Sequence, residues 1–234
     1  MSARKQKVIA HHEAGHAVVA RVLRIAVPHV AMFSTDGQGL ADATTGSASW
    51  LASKGDQAAH LRALEDDAKV SLAGPYAQGR HQKLGAVRKH PPEWRDDMRS
   101  AMSLMVSAVL LKDDAGFDPT VAHAVTLSPD QREQVSRLFK RIGEETNKLV
   151  NDNWLAIERT ADRLLQQRII FGEEVDAIIA ASADVDARDH ATTNPDKALR
   201  AACSTSQSIR EMTDRELIGA ILISATCVTR RVRA

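Results

Sequence analysis

The sequence predicts a mainly α-helical protein that carries a small β-sheet. Long segments repeat apolar residues at the spacing of a helix face, and one short segment contains strand-like runs. Aromatic residues make up 3% of the chain, which is low for a β-sandwich or barrel, and 44% of the residues are hydrophobic. A chain of 234 residues with this apolar content can bury a core, so a largely disordered protein is excluded.

The net charge, the cysteine content and the length of the apolar runs indicate which partners and which cellular location to expect. The 31 basic and 30 acidic residues leave a formal charge of +1, so binding of nucleic acid through bulk charge is not expected. Cys203 and Cys227 have neither the number nor the spacing of a disulfide framework, which favours a reducing, cytoplasmic location. The longest apolar run, residues 219–228, is too short to cross a bilayer, so no membrane insertion is expected.

The N-terminal region predicts one helix followed by two strands. Residues 5–24 repeat apolar side chains at helical spacing, and Pro28 is expected to end this helix. Residues 28–46 contain two short runs on either side of Asp36-Gly37, a pair that is typical of turns. We therefore expect two short strands joined by a turn.

Two further helices are predicted in the middle of the chain. Residues 57–78 have a helical pattern, which Pro75 is expected to kink or end. The basic residues 79–92 are expected to form a solvated surface loop. A helix is predicted over residues 93–111. The buried side of that helix carries three methionines as core residues, Met98, Met102 and Met105.

The next part of the chain predicts two long helices, a break and a shorter helix. After a loop over residues 114–129, Ser128 is expected to cap the first of these helices, with Pro129 at its first position. The pattern breaks at residues 172–174, and a short helix is expected to follow.

Composition divides the chain near residue 182. The sequence that follows is polar and non-periodic, which indicates a linker and a C-terminal tail over residues 183–234. Within this tail, residues 214–224 have the pattern of a short amphipathic helix. We therefore expect one folded domain over residues 1–182.

The strongest chemical signal is the HExxH motif formed by His12, Glu13 and His16. In a helix, residues four apart lie about 40° apart around the axis and about 6 Å along it, so two imidazoles can hold one zinc ion. Glu13 lies next to that face, where it can reach a zinc-bound water. His11 points about 100° away from His12 and is expected to be a bystander. The alternative is a helix in which both histidines are merely packed or solvated.

The motif indicates hydrolysis but does not complete a metal site. Zinc with three protein ligands keeps a fourth position for water and lowers the pKa of that water towards about 7. A carboxylate then takes the proton as the hydroxide attacks a peptide carbonyl. The third ligand must come from elsewhere, and spacing alone does not choose among the nearby acids. These acids are Glu65, Asp66, Asp67, Glu93, Asp96 and Asp97.

Several segments resemble the FtsH-type zinc peptidases, the proteolytic half of a membrane-bound AAA protease. HHEAGHAVVARVL is similar to the HEAGH-containing helix of that family, and VPHVAMFSTDGQGLADAT to its strand and edge-strand segment. VSLAGPYAQ resembles its LAGRAAEE helix, and EWRDDMRSAMSLM its NDL-type helix. EETNKLVNDNWLAIERTADRLLQQRIIFGEEVDAII is similar to its closing helices, so the resemblance covers roughly residues 5–181.

This resemblance implies a zincin-like helical peptidase domain of the FtsH type with one zinc ion per chain. It places His12, His16 and Asp97 as the metal ligands and Glu13 as the general base. The implied activity is that of a soluble zinc metalloendopeptidase that cleaves unfolded or flexible protein segments. Such a substrate is expected to add as a strand beside residues 40–45, where backbone hydrogen bonds give affinity with little sequence demand.

Departures from the family pattern leave other functions open. Pro75 replaces the arginine of LAGR, and Gln78-Gly79 replaces the acidic pair. The sequence has no GxxxxGK[ST] motif, so ATP-driven unfolding by this chain is not expected, although a separate ATPase can deliver the substrate. The alternatives are a metal-binding interaction module without turnover and a regulator-cleaving peptidase of the ImmA/IrrE type. A homo-oligomer also stays open.

Overall fold

The computed structural model describes residues 2–32, 39–42, 56–84, 94–118 and 125–190. Over these ranges the chain forms six helices and a three-stranded sheet, which confirms the predicted mainly α class with a small β element. The helices are α1 (Ala3–Val22), α2 (Gln57–His81), α3 (Arg95–Asp113), α4 (Pro129–Asp152), α5 (Trp154–Gln167) and α6 (Gly172–His190). The strands are β1 (His29–Met32), β2 (Gly39–Asp42) and β3 (Ile169–Phe171).

The sheet has the order β2-β1-β3, and both pairings are antiparallel. The two predicted strands, β1 and β2, pair with Val30 opposite Ala41. On the other side of β1, Ile170 of β3 lies opposite Val30. The third strand of the sheet therefore comes from a segment about 140 residues away in sequence. The sequence did not predict β3. Among the described strands, β2 and β3 are therefore the two edges.

Helix α1 lies at the centre of the fold and packs against α2, α5 and the sheet. Residues 13–20 are buried without interruption, as expected for a helix that is surrounded by protein. The helix ends at Val22, close to the predicted end near residue 24, but Pro28 is not the residue that ends it. Arg24 adopts a φ of 63°, and the Ile25 N–H donates to the Ala20 carbonyl at 2.8 Å, which forms a Schellman end.

Pro75 was predicted to kink or end helix α2, and the helix does not end there but continues to His81. The helix is packed by α1 on one side and by α3 and α4 on others, and this packing outweighs the backbone hydrogen bond that proline removes. The helix also includes residues 79–81, which the sequence assigned to a surface loop. Residues 85–92 of that predicted loop lie outside the described residues.

Several later features follow the prediction, although residues 172–174, predicted as a break, form the first turn of α6. Met102 and Met105 are buried in the core between α2, α3 and α4, and Met98 packs against the same cluster, as predicted. Ser128 caps α4 through a capping box with Gln131, which confirms the predicted start of that helix.

The described C-terminal end differs from the predicted linker. Helix α6 runs to His190, so residues 183–190 are helical. The predicted helix at residues 214–224 and both cysteines lie outside the described residues, and the boundary at residue 182 stays a prediction. None of the described helices has both the length and the apolar character that a membrane crossing requires.

Candidate metal centre

The two histidines of the HExxH motif face each other on α1. The Nε2 atoms of His12 and His16 lie 3.1 Å apart, and the rings meet edge to face with centroids 4.7 Å apart. This arrangement follows from the four-residue spacing, which places both side chains one above the other on one helix face. The helix therefore presents two imidazole nitrogens to one point.

Asp97, in the first turn of α3, completes the group. Its Oδ2 lies 3.0 Å from the Nε2 of His12, and its Oδ1 lies 3.6 Å from the Nε2 of His16. Within the described residues, these three side chains form the group of His, Cys, Asp or Glu that could hold a metal ion. The structure thus brings together the three residues that the resemblance implied as ligands.

The other acids that the spacing left open have different surroundings. Asp96 pairs with Arg99 on the exposed side of α3, and its side chain is 88% exposed. Glu65 pairs with Arg141 and Asp66 with Lys69, both away from the histidines. Asp67 is buried on α2, and Glu93 lies outside the described residues.

The second nitrogen of each imidazole has a hydrogen-bond acceptor. His12 Nδ1 donates to Oε1 of Gln78 at 3.0 Å, and His16 Nδ1 donates to the carbonyl oxygen of Val70 at 2.7 Å. A neutral imidazole carries one N–H and one lone pair, so a proton on Nδ1 leaves the lone pair on Nε2. Both lone pairs are therefore directed to the point that Asp97 also approaches.

This convergence of acceptors favours a positive charge. Burial alone lowers the pKa of His16, but hydrogen bonding and charge from Asp97, followed by the charge of Glu13, raise it to about 9. Burial raises the pKa of the Asp97 carboxyl, yet His12 and His16 together hold it well below its usual range. The carboxylates of Asp97 and Glu13 therefore stabilise a positive charge at this point, either a proton on His16 or a metal ion in its place.

The donor set and its spacing fit a zinc ion. Two nitrogens at about 2.0–2.1 Å from a tetrahedral zinc lie about 3.3 Å apart, close to the distances between the three candidate ligands. Two histidines and one carboxylate also form the donor set of catalytic zinc sites that keep a position open for water. The residues present therefore fit the metal that the motif implies.

Two glycines allow the helices to approach this closely. A Cβ at Gly74 of α2 would lie 2.2 Å from the Nε2 of His16, in the place where the imidazole sits. A Cβ at Gly15 would lie 2.7 Å from the backbone oxygen of Ala73. Glycine at both positions therefore permits the contact between α1 and α2 that brings Gln78 and Val70 to the imidazoles.

Glu13 and His11 occupy different sides of α1. Glu13 is buried, with 6% of its surface exposed, and its charge contributes to the raised pKa of His16, so the carboxylate lies close to the metal group. His11 stacks on His81 with ring centroids 3.7 Å apart, and its Nδ1 lies 2.8 Å from the Lys7 carbonyl oxygen. His11 is therefore not part of the metal group, as predicted.

Sequence reasoning missed the residues that orient the histidines. Gln78 appeared only as a departure from the family pattern, and a backbone acceptor such as the Val70 carbonyl has no sequence signature. The available signal was their spacing: Val70, Gly74 and Gln78 recur every four residues, so they share a face of α2.

Comparison of the chain with models of protein families and with curated proteins finds no match. The resemblance to FtsH-type peptidases therefore rests on the quoted segments alone. The function is therefore inferred from the chemistry of His12, Glu13, His16 and Asp97.

Proposed function

We propose that this protein is a zinc-dependent endopeptidase with a domain of the FtsH peptidase type. The observation that carries the proposal is the convergence of His12, His16 and Asp97, with the buried carboxylate of Glu13 beside them. A metal site that only stabilises a fold is normally closed by four protein ligands. The described residues supply three ligands and a neighbouring carboxylate, which is the composition that hydrolysis requires.

The roles of the side chains follow from their positions. His12, His16 and Asp97 would hold the ion, and a bound zinc supplies a Lewis acid that polarises a peptide carbonyl and activates water. Glu13 accepts the proton of the attacking water and returns it to the leaving amine nitrogen. Gln78 and Val70 keep the imidazoles in the tautomer that directs Nε2 to the ion.

The sheet supports the proposed substrate class. Strand β2 pairs with β1 on one side only, and its other edge has no strand partner among the described residues. An extended segment that adds to this edge is held through its backbone, and this binding mode demands little of its side chains. Unfolded or flexible segments can adopt this conformation, whereas a folded protein would first need unfolding by a separate ATPase.

The test is cleavage of an unfolded protein by the zinc-loaded chain and by Glu13→Gln. Loss of the general base is expected to reduce the rate by at least about 100-fold, while the zinc content stays that of the wild type. Glu144→Gln, the same change at an exposed position on α4, serves as the matched control and should cleave normally. Unchanged cleavage by the Glu13 variant would falsify the mechanism.

The same experiment separates the two alternatives. A zinc-loaded wild type that retains an unfolded substrate without cutting it favours a metal-binding interaction module. Cleavage of one regulatory protein at a single site, with unfolded substrates left intact, favours a peptidase of the ImmA/IrrE type.

A further inference from the structure

Gln78 contacts the His12 ring on the side away from the metal group, and two side-chain hydrogen bonds hold its amide. It is 2% exposed, on the face of α2 that meets α1. Its Oε1 accepts the hydrogen bond from His12 Nδ1 at 3.0 Å, and its Nε2 donates to Oε1 of Gln82 at 3.4 Å. The amide is thus oriented at both ends, with its oxygen directed to the imidazole.

We propose that Gln78 is a positioning residue that sets the metal affinity of this centre. The amide fixes the His12 ring with Nε2 towards the ion and, because it is neutral, holds the affinity below the level that a carboxylate at the same place would give. The inference rests on the metal centre of the proposed function and does not depend on peptide cleavage.

The charges around the site support this role. The Nδ1 partners of His12 and His16 are an amide oxygen and a backbone carbonyl, and both are neutral. The carboxylates at the site are Asp97, whose Oδ2 lies 3.0 Å from the Nε2 of His12, and the buried Glu13 beside His12 in the chain. Two negative charges balance one divalent ion, so a carboxylate at position 78 would add a third and favour the cation further.

The hydrogen bond itself also affects the ligand. A carboxylate that accepts from Nδ1 increases the basicity of the metal-binding nitrogen, and an amide does so less. Removal of the acceptor leaves a buried N–H without its partner and frees the ring to turn or to carry its proton on Nε2. Loss of such an outer partner typically weakens metal binding by about 10–100-fold.

The experiment measures Zn²⁺ affinity by competition with a chromophoric chelator for wild type, Gln78→Leu and Gln78→Glu. We expect the leucine variant to bind Zn²⁺ about 10–100-fold more weakly and the glutamate variant about tenfold more tightly than wild type. Gln166→Leu and Gln166→Glu, the same changes at an exposed position on α5, should leave the affinity unchanged. Visible spectra of the Co²⁺-loaded proteins report the ligand geometry, which the leucine variant alone should alter.

The outcomes are distinct. The inference is overturned if both Gln78 variants bind Zn²⁺ within twofold of wild type, or if the glutamate variant binds more weakly. If Gln78→Leu does not fold, the increase expected for Gln78→Glu decides alone. A protein that shows the expected order of affinities and cleaves nothing retains this inference and loses the proposed peptidase function.

Discussion

Asp97 on α3 and Asp67 on α2 are two acidic side chains whose surroundings shift their pKa values in opposite directions. Asp97 is partly buried against His12 and His16, and these imidazoles lower its pKa even though burial raises it. Asp67 is 3% exposed, its Oδ2 has no hydrogen-bond partner among the described residues, and burial together with the charge of Asp66 raises its pKa to about 7.

The difference shows what makes a buried acid a ligand candidate. Burial alone favours the neutral form of a carboxyl group, and a neutral carboxyl is a poor metal ligand. Adjacent imidazoles keep Asp97 charged and hold its oxygens beside their Nε2 atoms. Asp67 lies seven residues before Gly74 on the same face of α2, about 10 Å along the helix. Burial and the charge of Asp66 shift its pKa, and no imidazole among the described residues contributes to that shift.

The largest expected effect comes from removing the ligand itself. Structural zinc sites in small peptides bind with about 10–16 kcal/mol in total, so the loss of one of three ligands in Asp97→Ala should weaken Zn²⁺ binding by at least about 100-fold. Zinc retained after gel filtration measures this loss. Asp96→Ala, the neighbouring exposed acid, and Asp67→Ala should both retain wild-type zinc. Equal loss of zinc in the Asp67 variant would remove the distinction between the two aspartates.

A smaller effect is expected from filling the contact between α1 and α2. In Gly74→Ala, the new methyl group would lie 2.2 Å from His16 Nε2, so the imidazole or the helix must move. We expect a loss of about 1–3 kcal/mol in the free energy of unfolding, as for other overpacked sites, together with weaker Zn²⁺ binding.

Gly79→Ala provides the matched control for this change. Gly79 lies on α2, like Gly74. Among the described residues, a Cβ at position 79 would meet only the edge of the Trp94 ring, at 3.3 Å. Because alanine favours helix more than glycine does, stability should change by less than about 1 kcal/mol. Wild-type zinc affinity in Gly74→Ala would mean that the close approach to His16 is not needed for the site.

Much of this fold could be predicted from local signals. The helical spacing gave α1 to α5, and the Ser128-Pro129 pair gave the start of α4 because capping depends on residues a few positions apart. The His12–Glu13–His16 face was predicted for the same reason. These features depend on neighbours within about one helical turn.

The remaining features depend on packing between distant segments. Strand β3 is three residues long, too short to show a period, and forms through its contact with β1. Pro75 stays helical because α1 and α3 enclose α2. Spacing did not distinguish Asp97 from Asp67, because the choice depends on where α3 meets α1; the family resemblance was needed to select it.

An effect on stability alone, with none on zinc binding, is expected from the titration of Asp67. Its pKa is about 7 in the folded protein against 3.8 for the free side chain, so the folded state binds this proton more tightly. The free energy of unfolding should therefore fall as the pH rises from about 4 to about 7 and then level off. Asp67→Asn removes this titration. The change in the free energy of unfolding between low and high pH should therefore become about 2 kcal/mol smaller. This is less than the full pKa difference gives, because the structure around a buried charge relaxes.

Chemical denaturation of the zinc-free proteins at pH 4.5 and pH 8 measures this slope. Asp162→Asn, an exposed acid on α5, should keep the wild-type pH dependence. The difference between pH values matters more than the absolute stability, since the asparagine amide also changes local hydrogen bonding at every pH. A wild type and an Asp67 variant with parallel curves would show that Asp67 is ionised in the fold, and that a cationic or hydrogen-bonding partner compensates its burial as the imidazoles do for Asp97.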